Sequence, residues 1–122
     1  MKYLLDSVIL IDHLNGIQEA TTFLLRNRDE SVVSLITRTE VLAKPSEKEQ
    51  GPALSLLDEL EHLAMTRQDA DVAASLRRQG RLKLGDSFQA AQAINRSLKL
   101  VTRNTRDFKT PRDAYVLVPY AI

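Results

Sequence analysis

Short apolar runs of strand length alternate along this chain with longer stretches of helical periodicity. Residues 3–5, Tyr-Leu-Leu, are too short a run for a helix and suit a buried parallel strand. From Ser7 onward, Val8, Ile11 and Leu14 fall three apart until Gly16 stops the pattern, which predicts a helix of about three turns. A second helix is predicted over residues 17–28. Residues 31–35, Ser-Val-Val-Ser-Leu, are rich in β-branched side chains and read as a second strand. Residues 36–43 turn helical until Pro45 and Ser46 interrupt. Ala53, Leu56, Leu57, Leu60, Leu63 and Ala64 then recur at spacings of three and four, predicting an amphipathic helix over residues 46–62, with a short strand at 63–66. Residues 69–79 form a further helix with Val72, Ala73 and Leu76 inward, and Gly80 and Gly85 bracket a loop rich in Arg and Lys. Asp86 opens the next helix, because with Gln89 it has capping-box spacing and Phe88, Ala91, Ile94 and Leu98 follow on one face. A strand at 98–102, a turn or short helix at 103–108 and a last strand at 115–119 complete the pattern.

Strands separated by helices need crossover connections, so the expected architecture is α/β: a three-layer α/β/α sandwich around a mostly parallel sheet. At 122 residues the chain is expected to form a single domain, residues 1–122, with a core that needs no disulfide or metal to hold it. The absence of cysteine removes disulfide scaffolds, thiolate zinc sites and thiol nucleophiles, and fits a reducing cytoplasm. No apolar stretch approaches the ~20 residues of a membrane span, and a signal-peptide pattern is lacking at the start, so no membrane partner is expected. Lys and Arg total 17 against 16 for Asp and Glu, so net charge points to no polyanion. A metal pocket that drew in several carboxylates would leave the remaining surface more basic than that sum.

In parallel sheets ligands sit beyond the carboxyl ends of the strands. Acidic and amide residues recur at those seams: Asp6 closes the first strand, Glu40 lies one helical turn past the second, Asp86 opens a helix, and Asn104 and Asp107 follow the strand at 98–102. Each has an ordinary structural explanation by itself, as a helix cap, a solvated helix residue or a turn residue. Jointly they describe a cleft whose carboxylates would repel one another unless a cation neutralised them. Magnesium or manganese suits such oxygen donors and leaves room for a phosphate oxygen and a water, which implies phosphodiester hydrolysis. Neither His13 nor His62 is placed to act as the general base, and a carboxylate can take that role.

Four blocks carry a resemblance: YLLDSVILID at the start, SLITRTEVL in the middle, LRRQGRLKLGDSFQAAQAI before the last strands and LVTRNTRDF near the end. In order and spacing the chain resembles PIN-domain ribonucleases of the VapC toxin type, from type II toxin–antitoxin systems. The resemblance implies that Asp6, Glu40 and Asp86 are acidic metal-site residues, with Asn104 and Asp107 filling the fourth region. It implies that Ser7 and Thr102 are pocket hydroxyls and not ligands. It also implies a magnesium-dependent endoribonuclease that cuts structured RNA, such as transfer or ribosomal RNA, and so arrests translation. Its partners would be a cognate antitoxin, a second copy of the chain, and operator DNA reached only through the antitoxin. Two departures stand out. Ser7 replaces the usual Thr, and Gln89 stands where the family carries an apolar residue, which makes the helix face beside the metal more polar.

Arg77, Arg78, Arg81 and Lys83, with Arg38, Arg103 and Arg106 expected near the pocket, form a basic set suited to phosphate contacts, or else a solvated, salt-bridged face. Few aromatics are available for base stacking. An aspartyl-nucleophile phosphotransferase would carry a second acid where Val8 stands, and none of Gly16, Gly51, Gly80 and Gly85 makes a phosphate-cradling loop. The alternative outside enzymology is a binding module of the same fold that acts within a DNA-bound complex with its partner.

Overall fold

Leu4 and Leu5 point to opposite sides of one strand, yet both are fully buried, and a strand without a solvent face needs a layer on each side. The computed structural model, which describes residues 1–44, 46–80, 82–108 and 114–122 (the backbone alone at residue 47), supplies those layers. The strands are β1 (Tyr3–Leu5), β2 (Ser31–Ser34), β3 (Glu61–Leu63), β4 (Lys99–Val101) and β5 (Val116–Leu117). The helices among the described residues are α1 (Ser7–Leu14), α2 (Gln18–Asn27), α3 (Leu35–Ala43), α4 (Glu47–Asp58), α5 (Arg67–Arg78) and α6 (Leu84–Asn95), with a 3-10 turn at Arg28–Glu30.

All five strands are parallel, in the order β3-β2-β1-β4-β5, with Leu4 level with Val32 on one side and Leu100 on the other. Alternate residues of each strand serve opposite layers. Leu4, Val32 and Leu100 pack with Leu76, Ala90, Ala93 and Phe108 beneath α5 and α6. Leu5, Val33 and Val101 pack with Ile9, Leu24, Val41 and Leu57 beneath α1 to α4. The expected α/β/α sandwich is therefore observed.

The chain runs outward from β1 to β2 and β3, then returns to the other side of β1 for β4 and β5. The β1–β4 seam is thus the topological switch point, where open parallel sheets bind ligands. Gly16, at φ +84°, ends α1 in a left-handed cap in which the Ile17 amide donates to the Asp12 carbonyl at 2.9 Å.

The structure corrects several expected boundaries. The helix expected to reach residue 62 stops at Asp58, and β3 occupies Glu61–Leu63 in place of residues 63–66. Leu60 and Leu63 fit a helical repeat as well as a strand, and pairing of His62 with Val33 decides for the strand. The second correction concerns α6. It begins at Leu84, with the Ser87 amide donating to the Lys83 carbonyl at 2.9 Å, so Asp86 lies inside the first turn and Gln89 closes no capping box. The capping box belongs to α5, where Thr66 and Asp69 exchange hydrogen bonds at 3.0 and 3.1 Å. Ile94 is exposed and not inward, because α6 packs on the sheet through Ala90 and Ala93 and beside α5.

Candidate active site

Asp6 follows the last residue of β1, and its amide donates to the Val101 carbonyl of β4 at 2.9 Å, so the backbone ladder fixes it at the switch point. The residue is 6% exposed. Oδ1 accepts the Ser7 amide at 2.8 Å and Gln89 Nε2 at 3.3 Å, while Oδ2 accepts the Thr102 hydroxyl at 2.7 Å. An N-cap carboxylate ordinarily accepts from the second or third helical amide. Here the bond goes to the first, and the third, from Ile9, is taken by the Asp6 carbonyl. Burial raises the Asp6 carboxyl above its ordinary value, against the lowering effect of those hydrogen bonds.

An open cleft of about 780 Å³ lies over this seam, lined by Asp6, Ser7, Glu40, Asp86, Asn104 and Asp107 together with Lys83, Arg103 and Arg106. Glu40, on the second turn of α3, stands at its rim. Its carboxyl is raised by burial and next by the charge of Asp6, while a hydrogen bond from the Ser7 side chain works in the other direction. Asp86 is pushed up to about 6 by burial, then by the charges of Asp6, Asp107 and Glu40, with Lys83 opposing. Asp86 therefore senses the other three acids across a single cleft, into which the positive end of α6 also points.

The fourth region is a turn closed by its own side chains. Asn104 Nδ2 donates to Asp107 Oδ2 at 3.0 Å, the Asp107 amide donates to Asn104 Oδ1 at 3.3 Å, and the fully buried Phe108 anchors the turn in the core. Thr102 is buried beneath this turn and accepts the Asn104 amide at 3.0 Å while donating to Asp6. Among the described residues no three acids stand close enough together to hold a metal ion as they are placed. The hard oxygen character of the four carboxylates fits a hard dication.

The basic set is divided. Lys83 and Arg106 are exposed on the cleft wall. Arg103 also lines it, but its guanidinium makes a two-pronged ion pair with buried Asp12 at 2.6 and 2.8 Å, and Tyr120 donates to Asp12 at 2.9 Å. Arg38 lies away from the cleft lining, bonded to Asp58 and His62. Arg77 and Arg78 are exposed on α5, with Arg77 donating to the Leu82 carbonyl, and Arg81 lies outside the described residues. Sequence reasoning gave no role to Asp12, although it ends the YLLDSVILID block. Its carboxyl is lowered chiefly by the hydrogen bond from Arg103, and the pair secures the segment leading into the Asn104 turn.

A family model of the PIN domain matches residues 3–113. The chain belongs to the PIN-domain family. Among solved structures, this PIN domain is similar to a chain of a toxin–antitoxin complex from Klebsiella pneumoniae: identity is 31%, the TM-score is 0.88, and the match covers 99% of this chain and 100% of that one. DNA-bound VapBC from Salmonella typhimurium matches at 24% identity and a TM-score of 0.84, over 98% and 99% of the two chains. VapBC2 from Rickettsia felis, bound to a promoter DNA fragment, matches at 23% and 0.78, over 96% and 98%. The last two speak for the fold alone. The resemblance to VapC-type members is borne out, and no curated protein matches the chain. Among the described residues no helix is long and apolar enough to cross a membrane.

Proposed function

We propose that this PIN domain is a divalent-metal-dependent endoribonuclease, the toxin of a toxin–antitoxin pair, that hydrolyses phosphodiester bonds of structured RNA such as transfer or ribosomal RNA. The observation that carries the reading is the single open cleft at the switch point lined by Asp6, Glu40, Asp86 and Asp107, in which burial and then the charges of the other three raise Asp86 to about 6. Such a constellation is costly in an apo fold and is relieved by a cation. Asp6, Glu40, Asp86 and Asp107 would hold Mg²⁺, or Mn²⁺ in its place, with Asn104 orienting Asp107 through its amide. Bound there, the cation would supply Lewis acidity toward a phosphoryl oxygen and toward water.

The remaining work falls to the chain itself. Lys83 and Arg106, on the cleft wall, position the phosphate backbone of the RNA. A carboxylate of the cleft would take the proton of the attacking water. Ser7 and Thr102 hold the carboxylates of Glu40 and Asp6 and serve as pocket hydroxyls. The neutralising partner is an antitoxin, as supported by the Klebsiella pneumoniae toxin–antitoxin complex. A homodimer, with operator DNA engaged through the antitoxin, completes the proposed assembly.

The test is cleavage of total cellular RNA by the purified protein with magnesium, manganese or chelator, set against Asp6→Asn and Asp86→Asn. Metal-dependent cuts at discrete sites, absent from both variants, are the expected result. Equal cleavage by parent and variants, or no cleavage by a parent that still binds its antitoxin, contradicts the nuclease and favours a binding module.

A further inference from the structure

Gln89 lies one helical turn past Asp86 in α6, and only 1% of it is exposed. Burying a primary amide is costly unless its hydrogen bonds are made, and here they are. Oε1 accepts the Ser34 hydroxyl at 2.8 Å, and Nε2 donates to Thr37 Oγ1 at 2.7 Å and to Asp6 Oδ1 at 3.3 Å. Thr37 in turn donates to the Leu5 carbonyl at 3.0 Å, which belongs to the peptide group joined to Asp6. Ser34 Oγ accepts the Thr37 amide at 3.0 Å. The reversed amide would set Oε1 against the Asp6 carboxylate, so the network has one sense.

The consequence falls on the oxygens of Asp6. A carboxylate oxygen has about two lone-pair sites. Oδ1 spends both, on the Ser7 amide and on Gln89, whereas Oδ2 accepts from Thr102 and keeps one uncommitted. We propose that Gln89 is a positioning residue that locks the Asp6 carboxylate so that Oδ2 alone is presented to a cation in the cleft. This rests on the metal-dependent nuclease reading above. Ser7 and Thr102 by themselves would hold one oxygen each and leave a second site on Oδ1 open to a cation. Gln89, braced by β2 through Ser34 and by α3 through Thr37, closes that site.

The variants to compare are Gln89→Met, which keeps the length without the amide, and Gln89→Leu, which places a branched apolar side chain there. In the metal-free protein, the carbon-13 resonance of the Asp6 carboxylate is expected to move. The Ser7 amide proton, bonded to the same oxygen, is expected to exchange faster. Partners of metal ligands commonly affect metal affinity by about 10- to 100-fold, so the Mn²⁺ dissociation constant should rise about tenfold or more. With RNA, kcat should fall while KM holds. A lower melting temperature with the Asp6 resonance, Ser7 exchange and Mn²⁺ affinity all unchanged makes Gln89 a packing residue and overturns the proposal. Should the parent neither bind Mn²⁺ nor cut RNA, the nuclease reading fails by itself. Asp6 resonance and Ser7 exchange then decide the positioning role, for it if they change and against it if they do not.

Discussion

Asp86 occupies the third position of α6, where its carboxyl meets three other acids, and its elevation to about 6 has a defined consequence for folding. Well below the ordinary value of 3.8 the group is protonated in the folded and unfolded chains alike. Between that value and about 6 the unfolded chain ionises first, so stability falls as pH rises through this window, and the loss is complete above it. Asp86→Asn removes the ionisation. With solvent screening of this half-buried group discounted, the metal-free variant should be more stable at pH 8 by about 1 kcal/mol, or roughly 4 °C in melting temperature. The gain should shrink as pH falls from 6 towards 4. A loss at pH 8, or a gain that does not change with pH, speaks against the coupled cleft. Asp12 is the opposite case: Arg103 and Tyr120 complete its hydrogen bonds and its carboxyl is lowered, so it belongs to the frame of the site and not to its reactive set.

At the scale of elements, α6 ends as it begins, without the residue expected at a helix end. Ser97 adopts φ +54° after α6, with its amide donating to the Ile94 carbonyl at 3.3 Å and the Leu98 amide to the Ala93 carbonyl at 2.9 Å. That is the left-handed cap ordinarily given to glycine. Ser97→Gly should therefore stabilise the fold by about 0.5–1 kcal/mol, after the extra freedom that glycine gains in the unfolded chain. Equilibrium denaturation checks this, and a net loss of stability contradicts it. The strands β1 and β2 were legible because short β-branched or leucine runs have few other solutions in so small a domain. The start of α6 was not. Asp86 and Gln89 satisfy a local capping pattern, but Gln89 spends its amide on Ser34 and Thr37, 55 and 52 residues away. Arg103 meets Asp12 across 91 residues, another pairing that no local spacing records. The acids were readable one at a time because each lies near a strand exit or a helix start. The division of labour in which Asn104 braces Asp107 depends on a turn whose side-chain geometry only the fold supplies.

At the scale of the molecule, the strand order β3-β2-β1-β4-β5 brings Asp6 beside the segment after β4, and the helices α3 and α6 add Glu40 and Asp86 from the two layers. The sheet thus brings carboxylates from four distant parts of the chain to one cleft, and the proposed reason is a dication. The most direct test is a titration with Mn²⁺ in the absence of RNA, with free Mn²⁺ counted by electron paramagnetic resonance, for the parent, Asp6→Asn and Asp86→Asn. The parent should sequester the ion, and each variant should need at least about tenfold more of it, in keeping with the loss of a direct oxygen ligand. Equal binding by all three proteins, or none by the parent, contradicts the metal cleft on which the account depends.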